Sequence, residues 1–115
     1  MTVDEIYLNI GQGIVNAIAD EKWNEAKLYI EVVGTGVVSY NGEYFTDNKE
    51  TKNISVRNVS REIRNWIREL HDITTEGDRN KWNKAIFNLN AQGKFNMEFI
   101  WDQELHDAVV QLSKE

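Results

Sequence analysis

The residues with the chemistry to hold a metal are two histidine–aspartate steps, His71-Asp72 and His106-Asp107, with Glu69 and Glu104 nearby in sequence. A zinc helix needs two His four residues apart, as in His-Glu-x-x-His. Neither step supplies that spacing, and the chain has no Cys to add a thiolate. Both histidines read as solvated or half-buried groups on amphipathic helices, so neither a metal nor a cofactor is expected. Nucleophilic catalysis would need an activated hydroxyl. Ser39, Ser55, Ser60 and Ser113 lack the Gly-x-Ser-x-Gly setting, and Ser60 fits better as a helix cap. The carboxylate pairs Asp4 with Glu5 and Asp102 with Glu104 fall at helix starts, where negative charge matches the dipole. General acid–base work would further require a cleft that shifts a pKa. Gly11-x-Gly13 lies inside a helical pattern and has no phosphate-loop context. No catalytic residue is expected, and the chain reads as a non-enzyme.

The charges point to binding. There are 13 Lys+Arg against 19 Asp+Glu, a net charge of −6. Such a chain is a poor nucleic-acid binder, because neutralising phosphates takes clustered cations. Arg61, Arg64 and Arg68 do share a helix face, but Val59–Trp82 carries five bases and five acids and is neutral. The acidic excess lies in Met1–Glu25 and Asn83–Glu115. A negative surface suits a basic partner, through complementary fields and steered association. Glu98, beside Asp102 and Glu104, joins Tyr29, Glu31, Tyr40, Glu43 and Tyr44 as a candidate aromatic-plus-acidic face for gripping an Arg/Lys-rich protein.

These side chains need elements to position them. A capping box, Thr2-x-x-Glu5, opens a first helix. Val3, Ile6, Ile10, Ile14 and Ile18 repeat along it at helical spacing, and Trp23–Glu25 closes that region. Ala26, Leu28, Ile30 and Val32 alternate with polar residues as a strand. Gly34-Thr35-Gly36 is a turn or bulge. Val37–Tyr40 and Glu43–Thr46 flank Asn41-Gly42, a hairpin-turn signal. After a polar loop, 47–53, Ile54–Arg57 forms a further short strand. A second helix starts near Asn58 or Ser60, with the stripe Ile63, Trp66, Ile67, Leu70 and Ile73. Ala85, Phe87 and Leu89, then Phe95, Met97, Phe99 and Trp101, alternate around Gly93 as a second hairpin. Asp102 caps a last helix that buries Leu105, Ala108, Val109 and Leu112. The order α-β-β-β-(β)-α-β-β-α predicts an α+β fold. Its antiparallel sheet has five to six strands, with three helices mainly on one face.

A length of 115 residues implies a single domain, 1–115. No apolar run approaches the ~20 residues of a membrane span. The acidic N-terminus lacks the basic region of a signal peptide, so a cytoplasmic location is expected. The absence of Cys fits a reducing compartment.

Two segments carry a family resemblance. Glu5-Ile6-Tyr7-Leu8-Asn9-Ile10-Gly11-Gln12-Gly13-Ile14-Val15-Asn16-Ala17-Ile18, followed by Trp23, resembles the opening helix of the YezG-type immunity proteins. Gly93-Lys94-Phe95-Asn96-Met97-Glu98-Phe99, with Asp102 and Leu105, is similar to that family's C-terminal Gly-Lys-Phe-Asn-x-Glu-Phe signature. Leu28-Tyr29-Ile30-Glu31-Val32-Val33 and Tyr40 fit between them. Residues 47–80 match only in character. Ala19-Asp20-Glu21 stands where members often have a Pro-containing turn, and Ile100-Trp101 where an acidic-aromatic step is common. The resemblance implies a bacterial cytoplasmic antitoxin of polymorphic or contact-dependent toxin systems. Such a protein binds and neutralises the C-terminal domain of a cognate secreted toxin, commonly a basic nuclease; the sequence does not fix the oligomeric state, and a monomer in a 1:1 complex is the expectation. The contacts expected on that basis are Glu43, Tyr44, Asp47, Glu98, Trp101, Asp102 and Glu104, with Trp101 also a core candidate. The rival reading is a ligand- or peptide-binding regulatory α+β domain without catalysis.

Overall fold

Thr2 and Glu5 open the first helix by reciprocal capping: Glu5 N–H donates to Thr2 Oγ1 at 3.2 Å, and Thr2 N–H to Glu5 Oε1 at 3.1 Å. The structure, a computed structural model, describes residues 1–18, 22–34, 36–78 and 80–114. Ala19-Asp20-Glu21, and Thr35 within the Gly34-Thr35-Gly36 turn, lie outside the described residues. The elements are α1 (Val3–Ile18), β1 (Trp23–Val33), β2 (Val37–Thr46), β3 (Thr51–Asn53), α2 (Ile63–Thr74), β4 (Lys84–Asn90), β5 (Phe95–Ile100) and α3 (Gln103–Ser113). The strands form one sheet in the order β3-β2-β1-β4-β5, and every neighbouring pair is antiparallel. The fold is α+β, as expected.

Helical and strand periodicities meet in the core. Ile6, Ile10 and Ile14 of α1 and Ile63, Ile67 and Leu70 of α2 are fully buried. Beneath them, β1 alternates strictly from Ala26 onward, with Ala26, Leu28, Ile30 and Val32 buried and Lys27, Tyr29, Glu31 and Val33 half-buried. Ala85, Phe87 and Leu89 of β4 point the same way. Both helices therefore cover one face, and among the described residues neither packs on the other face. The second hairpin turns at Gly93, whose φ of 87° is a conformation that favours glycine. Asn90 Oδ1 accepts from the backbone N–H of Gln92 and of Lys94 there.

Several expectations are corrected. Trp23–Glu25 opens β1 and does not close the helix. Asn41-Gly42 is not a turn: β2 runs unbroken through it, with Gly42 opposite Leu28 and Asn41 opposite Tyr29. Gly42 is there because Ile54 packs over it, and Ile54 N–H donates to its carbonyl at 2.9 Å. A Cβ at this position would lie 2.8 Å from Ile54 Cδ1 and 2.9 Å from the Lys27 carbonyl oxygen. Backbone cannot yield as a flexible side chain can, so Gly42→Ala is expected to cost about 1–3 kcal/mol by overpacking. Urea unfolding would show this as a lower midpoint at constant slope.

The strand expected at Ile54–Arg57 is not formed. The third strand lies earlier, at Thr51–Asn53, and Val56–Asn58 is a short 3-10 turn. Helix α2 begins at Ile63, after Ser60 Oγ accepts from Glu62 N–H. The largest departure is α3. None of its described side chains is fully buried; Ala108 is exposed and Leu112 is 70% exposed. It lies at the sheet end where β1 closes and β4 begins, beside His71 of α2 and Trp82.

Candidate functional site: the open face of the sheet

Strand alternation sends one half of each strand to the uncovered face. On β1 these residues are Glu25, Lys27, Tyr29, Glu31 and Val33, and on β4 Lys84, Ile86, Asn88 and Asn90. On β2 they are Ser39, Asn41, Glu43 and Phe45, and on β5 Asn96, Glu98 and Ile100. The register aligns them into rows: Glu98, Ile86, Tyr29 and Asn41 form one, and Asn96, Asn88, Lys27, Glu43 and Asn53 the next. The Tyr29 hydroxyl donates to Glu43 Oε1 at 2.7 Å. That bond raises the phenol's pKa above its ordinary value, so at neutral pH the ring remains a neutral donor that fixes the carboxylate. Glu98 has no ion pair among the described residues.

The expected contact residues divide. Glu43 and Glu98 share the open face, three strand spacings apart, or about 14 Å. Tyr44 does not join them. It is only 8% exposed and faces the core, because unbroken alternation through β2 turns Val38, Tyr40, Gly42, Tyr44 and Thr46 inward. Tyr40 on that side lies under Arg64, whose guanidinium carbon is 5.0 Å from the ring centre. Asp47 is exposed in the turn after β2, at the end of the sheet remote from α3.

Trp101, Asp102 and Glu104 cluster at the β5–α3 joint. Trp101 is 40% exposed, so it is no core residue. Its ring lies 5.1 Å from that of His106, and its Nε1–H donates to Gln103 Oε1. Glu104 is exposed in the first turn of α3. Asp102 works structurally. Its side chain accepts from Leu105 N–H at 3.0 Å as the helix cap, and Lys84 Nζ lies 2.8 Å from its other oxygen. Lys84 also approaches Glu31 at 3.9 Å. The Lys84 contact, then the cap bond, holds the Asp102 carboxyl below the usual carboxylate range. A depressed folded-state pKa stabilises the protein above the unfolded value, and that contribution is lost as pH falls through the folded value. Asp102→Asn should therefore flatten the acid limb of the stability–pH curve, and thermal unfolding scans from neutral to acid pH would measure it.

Sequence reasoning missed Asn83. This buried residue clips the joint: its Nδ2 donates to the Asp102 carbonyl, and its Oδ1 accepts from Asp102 N–H, both at 2.8 Å. Its backbone N–H donates to the Ile100 carbonyl, and its carbonyl accepts from Val32 N–H. Beside it, Val32, Val33, Trp82, Trp101, His106, Val109 and Val110 line an apolar cleft of about 330 Å³. Among the described residues no group of three or more His, Cys, Asp and Glu converges as a metal set. His71 Nε2 is instead engaged 2.9 Å from the Trp82 carbonyl.

A profile described as immunity protein YezG-like matches residues 3–115, nearly the whole chain. The chain belongs to the YezG-like immunity protein family. No curated protein matches it. The residues of this immunity protein that carry the family pattern have distinct structural jobs. In the Gly93–Phe99 signature, Gly93 makes the hairpin turn, while Phe95 and Phe99 face the helix side. Phe95 stacks on Phe87 at 5.3 Å, and Phe99 lies 5.1 Å from Trp82. Glu98 is left facing outward on the uncovered face, with Lys94 beside it just before β5. No helix of the described residues is long and apolar enough to cross a membrane.

Proposed function

We propose that this immunity protein neutralises its cognate toxin by stoichiometric, non-catalytic binding, one chain to one toxin domain, on the open face of the sheet. Family membership supports a toxin as the partner, and the uncovered face is the surface whose chemistry suits it. Glu25, Glu31, Glu43 and Glu98 stand there against Lys27 and Lys84. Tyr29, Ile86 and Phe45 offer ring and apolar area between the charges. That mixture suits a basic partner. A nuclease domain must present cations to hold nucleic acid, and an acidic face that covers them blocks substrate without any chemistry of its own. Inhibition would act inside the cytoplasm, with residues 1–115 working as one domain. The apolar cleft beside α3 favours a second reading, a regulatory domain that binds a ligand or peptide there.

Co-expression with the toxin domain encoded next to the chain tests the proposal. Recovery of a complex, with nuclease activity lost at equimolar ratio, is the expected result. Unrelieved toxicity with no complex would overturn it and move the cleft reading to first place.

A further inference from the structure

We propose that two copies of this chain pair through the outer edge of β5, antiparallel about a two-fold axis at Met97, to make a continuous ten-stranded sheet. The two edges of the sheet differ. The β3 edge is three residues long, polar and exposed, and Lys49 and Lys52 lie in or beside it. Short polar edges with lysines resist strand pairing. The β5 edge has none of these protections. It runs six residues in unbroken register with β4, and Phe95–Ile100 contains no Lys and no Pro.

The ladder says which groups that edge presents. Asn90 N–H donates to the Lys94 carbonyl, and Asn90 is opposite Lys94 in the hairpin. Antiparallel pairs alternate between bonded and non-bonded. The even-numbered residues of β5 therefore bond to β4, and Phe95, Met97 and Phe99 turn their N–H and C=O outward. Only a register that opposes odd residues to odd residues can use those groups. Centring it on Met97 pairs Phe95 with the second copy's Phe99, and Met97 with its own counterpart, for six inter-chain bonds. The same register brings together what the monomer leaves open. Phe95 and Phe99 are 40% and 42% exposed on the helix side, and Leu8 and Val15 on the adjoining flank of α1 are exposed too. Cross-strand Phe–Phe and Met–Met pairs would cover this strip. On the other face Asn96 meets Glu98, and Lys94 lies diagonal to Glu98, twice by symmetry. Shifting the register one pairing step one way would put Glu98 against Glu98, and one step the other way would set Phe99 against Gly93 beyond the strand, so the Met97-centred arrangement pairs all three outward-facing residues without like-charge repulsion. In this pairing each open face stays available to one toxin domain, so the proposed dimer keeps one toxin domain per chain.

Sedimentation of the purified full-length chain tests this independently of any toxin. The expected mass is twice that of one chain at about 10⁻⁴ M, and Met97→Lys should raise the dimer dissociation constant at least ~10-fold by opposing two cations at the axis. Circular dichroism checks that the variant folds. The chain has no cysteine, so Met97→Cys is uniquely addressable, and a short bismaleimide should join two copies. Lys94→Cys should not be joined, its counterparts lying about 20 Å apart in this register. A monomeric wild type at that concentration overturns the proposal. So does a dimer that Met97→Lys leaves intact, or one in which Met97→Cys fails to cross-link.

Discussion

Trp82→Ala is expected to lower the unfolding free energy by about 4 kcal/mol, the range for removing a large aromatic ring from a packed core. The side chain is 1% exposed and is the largest among the fully buried ones. Its ring meets His71 edge-on at 4.7 Å and Phe99 at 5.1 Å, so the truncation would strip contacts from both α2 and β5. Its Nε1–H donates to Thr74 Oγ1 at 2.8 Å, which ties the β4 approach to the end of α2. Trp82→Phe keeps much of the volume and loses that bond, so a smaller cost of about 1–2 kcal/mol is expected. Calorimetry would read the alanine variant as a fall in Tm of roughly 15 °C. A fall of only a few degrees would mean that the ring is not held between α2 and β5. Trp82 also floors the apolar cleft beside α3. The alanine variant should therefore loosen the β5–α3 joint and expose α3 to proteolysis before the sheet itself opens.

Features that rest on neighbours in sequence were legible before the structure. The Thr2–Glu5 capping box, the Asp102 cap and the alternation of β1 and β4 each follow from local periodicity or from one short hydrogen bond. The failures share the opposite character. Asn41-Gly42 has the composition of a turn, yet its glycine answers to Ile54, twelve residues on, packing over a continuous strand. The same ambiguity reaches the site. A turn at 41–42 leaves the facing of Glu43 and Tyr44 open, whereas an unbroken strand forces them to opposite faces. Asn83 gave no signal because its partner is Asp102, nineteen residues away. The stripe on α3 told which side of that helix is apolar but not what lies opposite: Leu105, Val109 and Val110 are half-buried, and Leu112 points to solvent. Periodicity identifies a face that seeks cover, and only the tertiary arrangement shows whether cover exists.

Glu43→Lys combined with Glu98→Lys is expected to weaken toxin binding about 100-fold at low salt, if the toxin docks on the open sheet face. The two carboxylates bracket Ile86 and Tyr29 across the sheet. Two reversals change the charge of the face by four units, enough to turn its field from attracting to repelling a basic domain. The loss should fall mainly on the association rate and shrink as salt is raised, because both groups are solvent-accessible and screened within about 10 Å. Glu43→Lys also removes the acceptor of the Tyr29 hydroxyl. Glu43→Gln separates the two effects, since the amide oxygen still accepts but carries no charge. Asp102 is unsuitable for reversal, because a lysine there would break the α3 cap and repel Lys84. The control with the same net change is Asp72→Lys with Glu76→Lys, exposed positions in α2 and just after it, away from the sheet. Surface plasmon resonance against the toxin domain distinguishes the cases. A large loss in the Glu43/Glu98 pair alone would place the toxin on the open face. Equal small losses in both pairs would mean that only net charge matters. An unchanged affinity in the folded Glu43/Glu98 variant would move the binding surface off the sheet, to the apolar joint around Trp101.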